Sequence, residues 1–158
     1  MSYPGHLVSG NEDFFQLRRG IIMIRNIIGF LVGLVAGSLL NGALIKIGHA
    51  VIPLPAGADV SSYDALKAAM PLFGPEQFIF VFLAHALGSL AGAFAAAAIA
   101  ASHKMKLALG VGAMFLIGGL INAFLLPVPL WYDAVDLILA YIPMAWIGGR
   151  LAGAARPS

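Results

Sequence analysis

Five polar residues lie within stretches of sequence that are otherwise almost entirely apolar. They are Asn41, His85, Asn122, Asp133 and Asp136. A side chain of this kind is costly in lipid and usually faces another polar group or a water-filled cavity. Histidine exchanges protons between pH 5 and 8, and amides and carboxylates can hold a polar molecule by hydrogen bonds. The five residues therefore predict an outward-facing polar pocket that binds a small molecule or a lipid.

Each of these residues also has a purely structural interpretation. The two asparagines and the histidine can join helices through hydrogen bonds, each worth about 0.6–2 kcal/mol in a membrane. The two aspartates lie near the start of an apolar stretch, where a helix dipole favours negative charge. Lys46 and His49 lie near the end of another stretch, where their polar ends can reach the membrane surface. The sequence leaves the pocket and the structural interpretations open.

Known catalytic and metal sites fit the sequence poorly. There is no cysteine, which excludes disulfides and thiolate metal sites. No spacing of histidines and carboxylates matches a zinc motif, and Asp133 and Asp136 lie on one predicted helix, so they cannot face each other as a protease dyad. We therefore expect no metal, no cofactor and no catalytic residue, and we interpret the chain as non-enzymatic. The alternative is a small transporter or membrane-embedded enzyme that uses His85 and Asp136.

Four long apolar stretches must position these side chains. They cover approximately residues 26–47, 78–100, 106–126 and 132–152. Each has about the 20 residues that a helix needs to cross ~30 Å of hydrocarbon. Only 10% of the chain is charged, against about 25% in soluble domains, so little remains for a separate soluble domain. The sequence predicts an all-α integral membrane protein, a bundle of four transmembrane helices over residues 26–153.

Basic residues predict how this bundle is oriented. Seven of them fall on one side of an up-down-up-down arrangement: Arg18, Arg19, Arg25, Lys104, Lys106, Arg150 and Arg156. Basic residues in short loops mark the cytoplasmic side, which places segments 1–25 and 154–158 in the cytoplasm. We expect a multi-pass protein of a cell membrane, of the bacterial inner-membrane kind. The net charge is only +2 without a basic run, so no nucleic-acid partner is expected.

The segments outside the spans give two further predictions. In the first outer loop, Ser61 or Ser62 is placed to cap a short helix over residues 63–70 that would lie on the membrane interface. Residues 1–25 lack the apolar core of a signal peptide, and Arg25 before a long span is typical of an uncleaved anchor. Nothing upstream of Met23 carries a clear structural pattern, so the natural start could be Met1 or Met23.

Small residues recur every four positions in several spans. The glycines concerned are Gly29, Gly33, Gly37, Gly88, Gly92, Gly149 and Gly153. Such stripes let helix backbones approach closely in lipid. One interpretation is packing of helices within the chain. The other is that the first stripe binds a second copy or another membrane subunit, which would make the protein an accessory or assembly subunit.

Overall fold

The computed structural model describes residues 6–154, with side chains from residue 12 onward. Every regular element in this range is a helix: α1 His6–Val51, α2 Tyr63–Ala69, α3 Pro75–Ile99, α4 Lys104–Leu125, α5 Leu130–Leu139 and α6 Ile142–Leu151. Four segments have the length and composition of membrane spans: Glu12–Val51, Pro75–Ile99, Lys104–Leu125 and Leu130–Leu151. The prediction of an all-helical, multi-pass membrane protein is confirmed. The predicted tail, apart from Ala154, lies outside the described residues.

The first helix begins far upstream of the predicted span. It runs without interruption for 46 residues from His6 to Val51 and so passes Asn26, where the predicted span begins. At about 1.5 Å per residue it is roughly 69 Å long, about twice the thickness of a hydrocarbon core. No proline interrupts residues 6–25, and Gly10 and Gly20 alone do not end a helix. The expectation that nothing upstream of Met23 is structured is therefore wrong for residues 6–22.

The fourth span is two helices rather than the single helix predicted over 132–152. The chain turns at Ala140 and Tyr141, between α5 and α6. The cause is Pro143, which has no N–H to donate to the carbonyl of Leu139 and whose ring crowds that carbonyl. The break leaves the Tyr141 side chain buried against α3 and α4. A single continuous helix would have turned this side chain in a different direction.

The close packing of α1 against α3 explains the glycine stripe of the first span. A Cβ atom built on Gly33 would lie 2.6 Å from the carbonyl oxygen of Gly92, and one on Gly92 would lie 2.6 Å from the carbonyl oxygen of Gly33. Gly37 and Gly88 face each other in the same reciprocal way, at 2.7 and 2.9 Å. The stripe is thus covered by α3 of the same chain, and we call this contact the glycine seam.

The glycines of the fourth span divide into two kinds. A Cβ on Gly148 would meet the carbonyl of Leu90, and one on Gly149 would lie 2.9 Å from the Cβ of Ala108, so both allow close packing of α6. Gly153 does not have the predicted packing role. It lies beyond α6 with φ +75°, and no described atom is within 4 Å of its Cβ position. Its left-handed conformation ends the helix.

Hydrogen bonds from α1 fix the turn between α3 and α4. The Asn26 side chain donates to Ser102 Oγ at 2.9 Å, and its Oδ1 accepts from the backbone N–H groups of Ala101 and Ser102 at 3.0 and 3.2 Å. The neighbouring Arg25 guanidinium donates to the carbonyl of Ile99, at the end of α3.

At the start of α3, the N–H of Gly74 donates to the Gln77 side chain.

The loop between α1 and α3 contains the short helix that the sequence predicts. Ser62 caps α2 by accepting from the N–H of Ala65 at 3.1 Å. A single tighter helical turn, Met70–Leu72, then leads toward α3. Met70 packs with Phe78 and Tyr132 in a buried apolar cluster. This loop therefore covers one end of the space that lies between the long helices.

Candidate functional site

Three polar side chains meet between α3 and the broken fourth span. His85 Nδ1 lies 2.9 Å from both carboxylate oxygens of Asp136. The Tyr141 hydroxyl donates to Asp136 Oδ2 at 2.7 Å and is 3.0 Å from His85 Nδ1. Asp136 is 4% exposed and Tyr141 is 3% exposed. We call these three residues the polar triad.

The hydrogen bonds of the triad determine which histidine nitrogen is free. A carboxylate only accepts hydrogen bonds, so Nδ1 of His85 carries a proton and donates it to Asp136. This leaves Nε2, which has no hydrogen-bond partner among the described residues. In a neutral ring Nε2 is an acceptor, and in an imidazolium it is a donor. The carboxylate therefore fixes the orientation of the ring.

Two residues of the triad, His85 and Asp136, form part of the wall of a cavity of about 500 Å³, which we call the main cavity. The volume lies within the range of about 300–1,000 Å³ that is usual for small-molecule sites. Its wall is mostly apolar and includes Ile45, Leu66, Met70, Phe78, Val81 and Leu126. Besides His85 and Asp136, the partly or fully exposed residues Lys46, His49 and Asp133 contribute charge or titratable groups.

A second space of about 320 Å³, the side chamber, adjoins the main cavity between α1 and α4. The two share Gly42, His85, Gly119 and Asn122 as lining residues. Two polar atoms of the side chamber, Asn41 Oδ1 and Ser89 Oγ, are buried without a hydrogen-bond partner in the described part of the chain. An unsatisfied buried polar atom costs about 1–3 kcal/mol. The side chamber therefore has hydrogen-bonding capacity that the protein itself does not use.

The main cavity has a third such atom at its covered end. The Tyr132 hydroxyl is buried and has no partner within residues 12–154. The ring of Tyr132 packs on Phe78 with 4.8 Å between their centroids. Tyr132 thus contributes an aromatic ring to the wall of the cavity and has a hydroxyl without a partner among the described residues.

The structure brings four of the five predicted polar residues to one space. His85, Asn122, Asp133 and Asp136 line the main cavity, and Asn41 lines the side chamber. Among these five, the described part of the structure shows a direct hydrogen bond only between His85 and Asp136. Asn122 is exposed at the edge where both spaces meet.

Sequence reasoning missed Tyr141 and Ser89. On a continuous helix Tyr141 would be rotated by about 140° from Asp136, since five residues at 100° each exceed one turn by that angle. Only the break before Pro143 brings them together, so the proline was the available signal. Ser89 follows His85 by four residues on α3 and so shares its face, which the sequence does show.

No cluster of three or more histidine, cysteine or acidic side chains suited to a metal ion occurs in the described residues. Comparisons with protein-family models, curated proteins and solved structures find no significant match to this chain.

Proposed function

We propose that the protein is a non-enzymatic membrane protein that binds a small amphipathic molecule in the main cavity. The observation that carries this proposal is the hydrogen-bonded pair of His85 and Asp136 in the wall of an otherwise largely apolar cavity of about 500 Å³. An apolar wall accommodates a hydrocarbon body, and a few placed polar groups fix its orientation. Nε2 of His85 supplies one such group, because Asp136 occupies the other nitrogen.

We further propose that both termini are cytoplasmic and that the main cavity opens on the outer side of a cell membrane, of the bacterial inner-membrane kind. In this arrangement segments 1–25 and 154–158 are cytoplasmic, and α2 lies on the outer interface. The basic side of the bundle and the exposed Tyr63 and Leu72 near α2 support it. Reporter fusions after Ser102 and Ser158 should read cytoplasmic, and one after Ala58 should read external. An external signal after Ser158 contradicts the arrangement.

Cavity filling tests the binding function. Ala123 lines the main cavity, whereas Ala43 is exposed on α1 and lines neither space. Native mass spectrometry of the protein in mild detergent should show a retained small molecule in the wild type and in Ala43→Phe. The same molecule should be lost from Ala123→Phe, because the added ring occupies the cavity. Helicity and elution volume serve to check that both variants fold.

Two results would overturn this function. One is a wild-type protein that carries no small molecule and gains none from a total membrane lipid extract. The other is retention of the molecule by Ala123→Phe as strong as that of Ala43→Phe. A stoichiometric protein partner, found in place of a small molecule, would instead support an accessory or assembly subunit.

The geometry of the triad also favours a second candidate, a small transporter or membrane-embedded enzyme. A carboxylate that holds Nδ1 and leaves Nε2 free is the arrangement of a general base. Incubation with the same lipid extract distinguishes a binding protein from an enzyme. A binding protein returns the molecule with unchanged mass, whereas an enzyme returns a changed mass that disappears in Asp136→Asn.

A further inference from the structure

The helices α1 and α4 diverge at the side chamber. Lower in the bundle they are in contact, since a Cβ on Gly37 would lie 2.6 Å from the ring of Phe115 and one on Gly110 would lie 3.2 Å from the ring of Phe30. Farther along, Gly42 and Gly118 are both exposed, and no described atom lies within 4 Å of either Cβ position. A gap bordered by two glycines therefore leads into the side chamber.

The position of this gap along the helices places it in the hydrocarbon layer. Gly42 precedes the end of α1 by nine residues and Gly118 precedes the end of α4 by seven. At about 1.5 Å per residue the gap lies roughly 11–14 Å inside the helix ends. Since α4 has 22 residues and spans about 33 Å, this depth is occupied by lipid tails rather than by water.

The unpartnered atoms of the side chamber define the chemistry of a polar group that would fit there. Asn41 Oδ1 requires a donor, and the Ser89 hydroxyl, on a residue only 1% exposed, can donate or accept. A hydroxyl group can donate to the amide oxygen and accept from the serine at the same time. A carboxylate or phosphate only accepts and would leave the amide oxygen without a partner.

We propose that a membrane-dissolved long-chain alcohol enters sideways between α1 and α4 and places its hydroxyl between Asn41 and Ser89. Its chain then occupies the main cavity, which shares Gly42, Gly119 and His85 with the side chamber. This inference rests on the proposed binding function and adds to it the class of the ligand and the route that it takes.

Chain-matched probes test the class of the ligand. The purified protein in detergent is incubated with 1-hexadecanol or with hexadecanoic acid, and the bound fraction is measured by native mass spectrometry. We expect 1-hexadecanol to bind and Ser89→Ala to weaken its binding about five- to tenfold, the effect of one lost hydrogen bond. Ser89→Ala removes a buried hydroxyl without a partner, so the fold is retained. Equal binding of 1-hexadecanol to the wild type and to Ser89→Ala would overturn the proposal.

Kinetics test the route. Uptake of 1-hexadecanol from nanodiscs should be slowed at least about tenfold in Gly42→Leu, because the side chain fills the gap. Gly20→Leu is the matched control, since Gly20 is on the same helix and also has no described atom within 4 Å of its Cβ position. If Gly42→Leu misfolds, Gly118→Leu closes the gap from the other side. Uptake by a folded gap variant as fast as by Gly20→Leu would overturn the lateral route.

Two further arms separate the possible failures. In the first, 1-propanol is added in water at the same concentration as 1-hexadecanol. Displacement of 1-hexadecanol by 1-propanol would show that the site is open to water and would overturn access from lipid. Binding of hexadecanoic acid without binding of 1-hexadecanol would overturn the alcohol class and leave the binding function standing. Binding of neither probe, together with no molecule retained from a lipid extract, would overturn both.

Discussion

The glycine seam between α1 and α3 should be highly sensitive to a single added methyl group. In Gly33→Ala the new Cβ would lie 2.6 Å from the carbonyl oxygen of Gly92, where ordinary contacts begin at 3.4 Å. It would also lie 2.8 Å from the Cβ of Ala96 and 3.2 Å from Val111. Two of these neighbours are backbone or Cβ atoms that cannot rotate away. The helices must therefore separate by about 0.8 Å at this level.

The cost of that separation can be estimated against a variant that adds the same methyl group elsewhere. Overpacking of this kind costs about 1–3 kcal/mol. Gly42→Ala places a methyl group on the same helix where no described atom lies within 4 Å. Any gain in helix propensity, up to about 1 kcal/mol, is common to both variants. The difference between them isolates the packing cost of about 1–3 kcal/mol, which corresponds to roughly 2–12 °C in melting temperature for a chain of this size.

Thermal unfolding of both variants in the same detergent is the assay. We expect Gly33→Ala to melt below the wild type and Gly42→Ala to melt at or above it, with Gly33→Leu lower than either. Melting of Gly33→Ala and Gly42→Ala within 1–2 °C of each other, less than about 1 kcal/mol, would refute the reasoning. It would mean that α1 and α3 are not in backbone contact at the seam.

Three other perturbations have defined outcomes. Asn26→Ala removes three hydrogen bonds to the turn between α3 and α4 and should lower the free energy of chemical unfolding by about 1–3 kcal/mol. Asn26→Asp keeps the oxygen that accepts two of these bonds and should be less destabilising. Gln77→Ala leaves the carbonyl of Pro53 and the N–H of Gly74 without their partner, so the free energy of unfolding should fall by about 1–2 kcal/mol. Gln77→Glu keeps an oxygen that can accept from Gly74 and should be less destabilising. The backbone N–H of Ser61, and after it the Ser61 hydroxyl, lower the pKa of Asp59 below 3.8. The contribution of this carboxylate to stability is therefore present above pH 3.8 and is lost as the pH falls through the lowered pKa. NMR titration should show the pKa of Asp59 rising toward 3.8 in Ser61→Pro, and an unchanged pKa would contradict this explanation.

The features that sequence predicted well depend on local properties of the chain. The bounds of the last three spans follow from the runs of apolar residues, and the start of α2 follows from a serine that can accept from the N–H three residues later. The break at Ala140 and the extension of α1 to His6 were not predicted. A proline within a span is compatible with a continuous kinked helix or with two helices, and the surrounding packing decides between them.

The composition of the cavity was partly predictable because topology brings polar residues on different spans to similar depth. The identity of the pairs was not, since it depends on the rotation of each helix about its axis. Asp133 and Asp136 both line the main cavity, yet only Asp136 bonds to His85. Tyr141 completes the triad through a backbone break whose geometry is set by packing. No pattern of spacing in the sequence encodes that contact.

The order of the helices along the chain has a consequence for how the protein is made. The glycine seam joins the first two spans, so it can form in the membrane while the ribosome is still synthesising the rest of the chain. His85 enters the membrane with the second of these spans, but Asp136 and Tyr141 arrive only with the last. During that interval the histidine has neither of its hydrogen-bond partners. The packing core of the bundle is thus assembled first, and the main cavity is completed only when the fourth span follows.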